Sequence, residues 1–158
     1  MPYFYLLFIV TFISNSITAQ EVKTLTYFQN DSIKLELDLY LPLKSNKKTP
    51  LVIFAHGGGF SGGDRFGEKN FASSLAKKGI AVASISYTLY MKDKDFGCTS
   101  PLSEKIKTIQ IAVSDAWQAT AYLIKNKNTY NSDASKIFIS GISAGGEIAF
   151  DASFWDYT

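Results

Sequence analysis

Residues 141–145 constrain the fold of this chain more than any other stretch, because they read Gly-Ile-Ser-Ala-Gly between a strand pattern and a helix pattern. The apolar run 137–139 precedes them, and the apolar, helix-like segment 147–150 follows. A turn this sharp leaves no room for a Cβ two positions before and two positions after the serine, so only glycine fits there. The turn therefore places the Ser143 hydroxyl at a helix N-terminus, where free N–H groups and the helix dipole favour negative charge.

A second glycine motif lies at the end of another predicted strand. Residues 51–55 are apolar and predict a buried strand, which runs directly into His-Gly-Gly-Gly-Phe at 56–60. Three successive glycines after a strand let backbone N–H groups approach a ligand closely. Acyl transfer needs such donors, aimed at the oxygen that becomes anionic when an ester carbonyl turns tetrahedral. The two motifs in this order, both at strand ends, indicate an acyl-transfer site more strongly than either motif does alone.

With these two motifs, the chain resembles the α/β-hydrolase superfamily, in particular the esterase and lipase branch that carries an HGGG oxyanion loop. The resemblance extends from about residue 22 to the end of the chain. It implies that Ser143 is the nucleophile. It also implies that the N–H groups of Gly57, Gly58 and Ala144 form the oxyanion hole.

The same resemblance gives the neighbouring residues supporting roles. Gly141 and Gly145 would shape the nucleophile elbow, and His56 and Gly59 would support the oxyanion loop. An alternative makes His56 the general base, because it follows a strand expected to lie near the elbow. A base must come within about 2.6–3.2 Å of the hydroxyl that it deprotonates.

The triad of this family runs along the chain as Ser, then Asp or Glu, then His. Only fifteen residues follow Ser143, none is a histidine, and His56 is the single histidine of the chain. The acids that do follow lie on or just beyond the helix leaving the elbow, and we expect them to be surface charges: Glu147, Asp151 and Asp156. Asp115 precedes the serine and is expected to be a helix-surface or structural acid. The resemblance thus implies an N-terminal fragment that lacks the triad Asp and His.

The order of predicted elements indicates an α/β fold. A β hairpin is followed by β, α, β, α, β, α, which predicts a mostly parallel sheet with helices on both faces. The predicted strands cover residues 22–29, 33–41, 51–55, 80–85 and 137–139, and the longer predicted helices cover 68–78 and 101–125. We expect a truncated α/β-hydrolase fold with about five of the eight strands of the resembling fold.

The first segment indicates export. Residues 3–13 form an apolar run, and the small residues before Gln20 are typical of a signal-peptide cleavage site after Ala19. The run is shorter than the about 20 residues that a membrane-spanning helix needs. We therefore predict a signal peptide at 1–19, a partial hydrolase domain at 20–158, and a secreted or periplasmic protein. No Lys or Arg precedes the apolar run, although signal peptides usually have one there. The alternative is that the segment is retained as a membrane anchor, and only in that case is the membrane a partner.

Composition excludes other classes of function. The net charge is +2 and Arg65 is the single arginine, so a nucleic-acid partner is not expected. One histidine and one cysteine cannot build a zinc site, and no metal or other cofactor is expected. Cys98 is either a free thiol or has lost a partner.

The sequence therefore favours a secreted serine carboxylic-ester hydrolase that acts on a small-molecule or carbohydrate ester. A secreted serine peptidase of the same fold is an alternative within the enzyme class, although the HGGG loop favours esters. The alternatives outside that class are a catalytically inactive remnant and a binding protein that keeps the pocket without the chemistry. Fold alone does not identify the substrate.

Overall fold

The computed structural model describes residues 21–43, 47–94 and 96–154, so the predicted signal peptide and Asp156 lie outside the described residues. Within these residues the chain forms five strands and three helices. In chain order they are β1 (Glu21–Gln29), β2 (Lys34–Leu41), β3 (Thr49–Ala55), α1 (Lys69–Lys77), β4 (Ala81–Ile85), α2 (Leu102–Lys125), β5 (Ser132–Gly141) and α3 (Ala144–Phe154). Among the helices described, none has the length and apolar character to cross a membrane.

The five strands form one sheet in the order β1-β2-β4-β3-β5. Strand β2 runs antiparallel to both of its neighbours, whereas β3 runs parallel to β4 and to β5. Four of the five described strands therefore point in one direction, which confirms the mostly parallel sheet. The predicted hairpin is also present, and the Asn30 side-chain oxygen closes its turn by accepting the N–H groups of Ser32 and Ile33 at 2.9 and 2.7 Å.

Helices cover both faces of the sheet, as predicted. The larger apolar cluster lies between the sheet and helices α2 and α3, and includes Leu37, Ile53 and Val113. A smaller cluster on the opposite face joins Tyr40 and Phe54 to the alanines of α1. Because both faces are covered, the parallel strands β3 and β4 are almost entirely buried.

Strand β2 differs from its prediction. Its strict alternation of apolar and polar residues predicted a strand with one face in water, but Asp38 and Tyr40 are buried as well. Tyr40 packs in the cluster beneath α1. Asp38 lies 3.1 Å from the Arg65 Nε and accepts a hydrogen bond from the Thr24 hydroxyl at 2.7 Å. The polar face is therefore covered by a helix and by an ion pair that sequence periodicity does not reveal.

Strand β5 forms an edge of the described sheet, since it pairs there with β3 alone. It spans ten residues, longer than the three-residue run that the sequence predicted. Phe138 is 56% exposed on this strand, and Ile142, Phe150 and Phe154 nearby are also exposed. An apolar strand edge of this kind is a template for aggregation, so experiments on the isolated chain require low protein concentration.

Asp115 of α2 is a structural acid rather than a surface charge. It is buried, and its Oδ2 accepts the N–H of Thr88 in the loop after β4, at 2.8 Å. Burial raises the pKa of Asp115 above its usual range, while the hydrogen bonds with Thr88 act in the opposite direction. The carboxylate therefore ties α2 to the loop beyond β4.

We expect Asp115→Ala to lower the free energy of unfolding by about 1–3 kcal/mol, because it leaves the Thr88 N–H without its acceptor. Asp115→Asn keeps an acceptor oxygen and removes the buried charge, so it should match or exceed the parent. A carboxyl whose pKa is raised by folding costs stability as the pH rises from its unfolded pKa to its folded pKa. Urea denaturation should therefore show the advantage of the Asn variant growing as the pH rises above about 3.9 and levelling off above the folded pKa. An Asn variant as weak as the Ala variant at every pH would contradict this role.

Candidate active site

The turn between β5 and α3 places Ser143 in a strained backbone conformation. Its φ is 53°, in the left-handed region that non-glycine residues rarely occupy, and its side chain is exposed. A Cβ on Gly141 would lie 2.2 Å from the Gly145 carbonyl oxygen, and one on Gly145 would lie 2.1 Å from the Ala55 carbonyl oxygen. Both glycines are therefore required by close backbone packing, as the G-x-S-x-G spacing predicted.

Helix α3 begins directly after the serine. The Ser143 carbonyl accepts the N–H groups of Gly146 and Glu147 at 2.8 and 3.1 Å, which closes the first helical turn. Ala144 lies in that turn, where N–H groups have no acceptor within the helix. An N–H donor and the positive end of the helix dipole thus directly follow Ser143 in the chain.

The glycine loop, residues 56–63 after β3, also has an unusual backbone. Gly58, Gly59 and Phe60 have φ values of 127°, 60° and 60°. The Gly58 carbonyl accepts the N–H groups of Ser61 and Gly62 at 3.2 and 3.0 Å, so it is committed to the interior of the loop. A planar trans peptide directs its N–H opposite to its C=O, so each carbonyl in this loop fixes the direction of the following N–H.

The two motifs are in contact. Strands β3 and β5 are parallel neighbours with Ala55 opposite Gly141, and the Ile142 N–H donates to the Ala55 carbonyl at 3.3 Å. A Cβ on Gly57 would lie 3.5 Å from the Ser143 Cβ. The structure thus brings the serine and the glycine loop to the same carboxyl end of the sheet, where α/β proteins bind ligands.

His56 faces the glycine loop. It is 4% exposed, and its Nδ1 donates a hydrogen bond to the Gly57 carbonyl oxygen at 2.7 Å. Because a carbonyl only accepts, Nδ1 carries the proton. Burial lowers the pKa of His56 below its usual range, which favours the neutral ring at neutral pH. Within the described residues no hydrogen bond joins His56 to Ser143, so the geometry favours a supporting role over that of general base.

Three residues of the site were not identified from the sequence. The Tyr87 hydroxyl donates to the His56 carbonyl at 2.9 Å, and the Tyr87 ring stacks on the imidazole with centroids 4.3 Å apart. Phe60 is buried against Phe96 with centroids 5.0 Å apart. A Cβ on Gly63 would lie 2.2 Å from the Gly57 carbonyl oxygen. The sequence signal that could have identified Tyr87 is its position, since it follows the end of β4, the strand beside β3.

Two of the acids after the serine, Glu147 and Asp151, lie on α3 without a hydrogen bond to Ser143. Glu147 is exposed and Asp151 is half-buried, and burial together with Asp151 raises the pKa of Glu147. Over the part of the chain that the structure describes, no group of three or more His, Cys, Asp or Glu residues is arranged to hold a metal ion. Cys98 is exposed and free.

This arrangement of strand ends, elbow and glycine loop is the frame of an α/β-hydrolase. Residues 37–154 match the family BD-FAE, and the chain belongs to this family of α/β-hydrolase esterases.

Similar proteins include esterases from several organisms. A probable isoprenylcysteine alpha-carbonyl methylesterase of Oryza sativa subsp. japonica is 30% identical over 119 residues, which are 75% of this chain and 25% of that protein. Gut esterase 1 of Caenorhabditis elegans is 28% identical over 128 residues, covering 78% of this chain and 21% of that protein. The chain therefore spans about a quarter of the length of these relatives.

Solved structures show the same fold. A thermophilic esterase of Thermogutta terrifontis superposes on 82% of this chain with a TM-score of 0.66 and 22% sequence identity. This chain covers 43% of that esterase. The structural match confirms the α/β-hydrolase fold over most of the chain.

Proposed function

We propose that this chain carries the nucleophile and the oxyanion hole of a secreted serine carboxylic-ester hydrolase. Ser143 would be the nucleophile, and the N–H groups of Gly57, Gly58 and Ala144 would hold the oxyanion. The observation that carries the proposal is the contact between the two motifs, in which the Gly57 backbone packs against an exposed, strained Ser143. Membership of an esterase family supports the same reaction class.

The proposed reaction is acyl transfer to the serine. The Ser143 Oγ attacks the ester carbonyl carbon, and the carbonyl oxygen takes up the displaced electron pair and becomes an oxyanion. Backbone N–H groups stabilise that charge without reorganising, because the loop and the helix already hold them. Collapse of the intermediate expels the alcohol, which receives the proton that the serine gave up. Water then hydrolyses the acyl-serine by the same two steps.

The serine proton requires a general base, and these 158 residues contain no histidine other than His56. The Nδ1–H of His56 donates to the Gly57 carbonyl, and among the described residues no hydrogen bond joins the ring to Ser143. The relatives are longer, and this chain spans about a quarter of their length. We therefore propose that the acid and the base of a complete triad come from polypeptide that corresponds to the rest of those relatives. The chain by itself would then supply the nucleophile and the oxyanion donors, but not the acid and the base of the triad.

We expect the isolated chain to hydrolyse short p-nitrophenyl esters at no more than a trace rate. In serine hydrolases, loss of the triad histidine alone lowers kcat on the order of a million-fold. The residual rate comes from the oxyanion hole and substrate binding. Initial rates of the parent, Ser143→Ala and His56→Ala chains measure this. Robust turnover that disappears in both variants would contradict the expectation and make His56 the leading candidate for the base.

We propose a small-molecule or carbohydrate ester as the substrate. Curated relatives include methylesterases, which supports ester rather than peptide cleavage, so the serine peptidase stays the second proposal within the enzyme class. A catalytically inactive remnant or a ligand-binding protein of the same fold would keep the loop but leave Ser143 unreactive. Reactivity of Ser143 toward an acylating agent, with imidazole added as the base, separates these last two proposals from the two enzyme proposals.

We also propose export through residues 1–19, with cleavage after Ala19. The support is the apolar run 3–13 followed by small residues before Gln20. N-terminal sequencing of exported protein should begin at Gln20. Recovery of an intact Met1 terminus from the membrane fraction would replace secretion with anchoring.

A further inference from the structure

Gly57 and Gly58 are the first two glycines of the glycine loop. The direction of the N–H group of each is set by a hydrogen bond to the carbonyl of the same peptide unit. The Gly57–Gly58 peptide is held by His56, whose Nδ1–H donates to the Gly57 carbonyl at 2.7 Å. The His56–Gly57 peptide is held by Tyr87, whose hydroxyl donates to the His56 carbonyl at 2.9 Å. Since C=O and N–H point in opposite directions across a trans peptide, the two side chains turn the N–H groups of Gly57 and Gly58 away from the buried side of the loop.

Tyr87 is well suited to this task. It is buried, and burial raises the pKa of Tyr87 to about 12, so its hydroxyl stays a protonated donor at neutral pH. Its ring also stacks on the imidazole of His56, with centroids 4.3 Å apart and planes inclined by 19°. One residue therefore orients the first peptide directly and supports the ring that orients the second.

We propose that Tyr87 is a positioning residue of the oxyanion hole, holding the His56 carbonyl so that the Gly57 N–H is presented on the exposed side of the loop beside Ser143. This inference rests on the proposed function, because it assigns Tyr87 a role in stabilising the Ser143 oxyanion. It adds a residue outside the two motifs that defined the site.

The first test measures the reactivity of Ser143. The full chain, at low concentration, is incubated with a fluorophosphonate and with added imidazole, which supplies the general base that these residues lack. The rate and saturation of phosphonylation are followed by intact mass. Tyr87→Phe should lower the maximal rate about tenfold with unchanged probe affinity, a smaller loss than the about 10²–10³ for deleting an oxyanion donor. Tyr27→Phe is the matched control, because the Tyr27 hydroxyl also donates to a backbone carbonyl, that of Ser86, the residue before Tyr87.

The second test observes the peptide itself. Because the chain has a single histidine, labelling with carbonyl-¹³C histidine and ¹⁵N glycine gives one correlated NMR signal, that of the His56–Gly57 peptide. Tyr87→Phe should shift this carbonyl and amide signal, whereas Tyr27→Phe should leave it in place. If Tyr87→Phe does not fold, 3,5-difluorotyrosine introduced at position 87 preserves the ring, and the signal should then move as the more acidic hydroxyl ionises.

The outcomes are distinguishable. An unshifted carbonyl signal, or a phosphonylation rate in Tyr87→Phe equal to that of Tyr27→Phe, overturns the positioning role and leaves the proposed function standing. A parent chain in which Ser143 does not react even with imidazole present overturns the proposed function and, with it, the role of Tyr87 in stabilising the oxyanion. The carbonyl signal then still decides whether Tyr87 holds this peptide.

Discussion

Gly145→Ala should abolish the cooperative fold of this chain. The added Cβ would lie 2.1 Å from the Ala55 carbonyl oxygen and 2.7 Å from that of His56. Both atoms are backbone atoms at the end of β3, an interior strand of the described sheet, so no side chain can rotate away. Overpacking in well-packed interiors typically costs about 1–3 kcal/mol, and a backbone overlap this severe should cost more. Since domains are stable by only about 5–15 kcal/mol, a loss above about 3 kcal/mol leaves little margin.

The neighbouring glycine supplies the control. A Cβ on Gly146 would meet the Gly141 carbonyl oxygen at 3.5 Å, an ordinary contact, and Gly146 lies within α3. Gly146→Ala should therefore fold as well as the parent, or better, because alanine is favoured over glycine in helices by about 1 kcal/mol. Chemical denaturation followed by circular dichroism measures both variants. Equal stability of the two alanine variants would show that the elbow is not as tightly packed as described.

Gly63→Ala should disrupt the glycine loop while leaving the elbow in place. Gly63 has a φ of 84°, and a Cβ there would lie 2.2 Å from the Gly57 carbonyl oxygen and 2.7 Å from the His56 Nδ1. The substitution therefore displaces the group through which His56 orients the Gly58 N–H. With imidazole supplying the base, we expect the rate of Ser143 phosphonylation to fall about 10²-fold, the effect of losing an oxyanion donor.

Gly62→Ala is the matched variant for this experiment. A Cβ on Gly62 would lie 3.9 Å from the Gly58 carbonyl oxygen, so it is accommodated. Its phosphonylation rate should stay within a few-fold of the parent, and both variants should retain the far-ultraviolet circular dichroism of the folded chain. A Gly63→Ala chain that reacts as fast as the Gly62→Ala chain would remove the glycine loop from the mechanism.

The sequence predicted the elements that local patterns determine. Glycines at 141 and 145 around Ser143 indicated a turn without space for side chains, and the structure places backbone oxygens where their Cβ atoms would be. The alternation of elements likewise predicted a mostly parallel sheet with helices on both faces. These features depend on spacing and on residue size, which a single sequence displays directly.

The features that the sequence did not predict depend on partners distant along the chain. The burial of Asp38 requires Arg65, 27 positions later, whose Nε lies 3.1 Å from the carboxylate. The role of Tyr87 depends on β4 lying beside β3, which is a property of the sheet order rather than of any local motif. Asp115 similarly reveals its structural role only through the N–H of Thr88.

The central claim is that Ser143 is a nucleophile placed beside preformed oxyanion donors. It is tested most directly by mapping the site of fluorophosphonate attachment on the full chain by peptide mass spectrometry, with added imidazole as the general base. We expect a single adduct on Ser143, absent from Ser143→Ala and retained in Ser61→Ala, a control serine in the glycine loop itself. An adduct on another residue, or equal labelling of the parent and Ser143→Ala chains, would contradict the account.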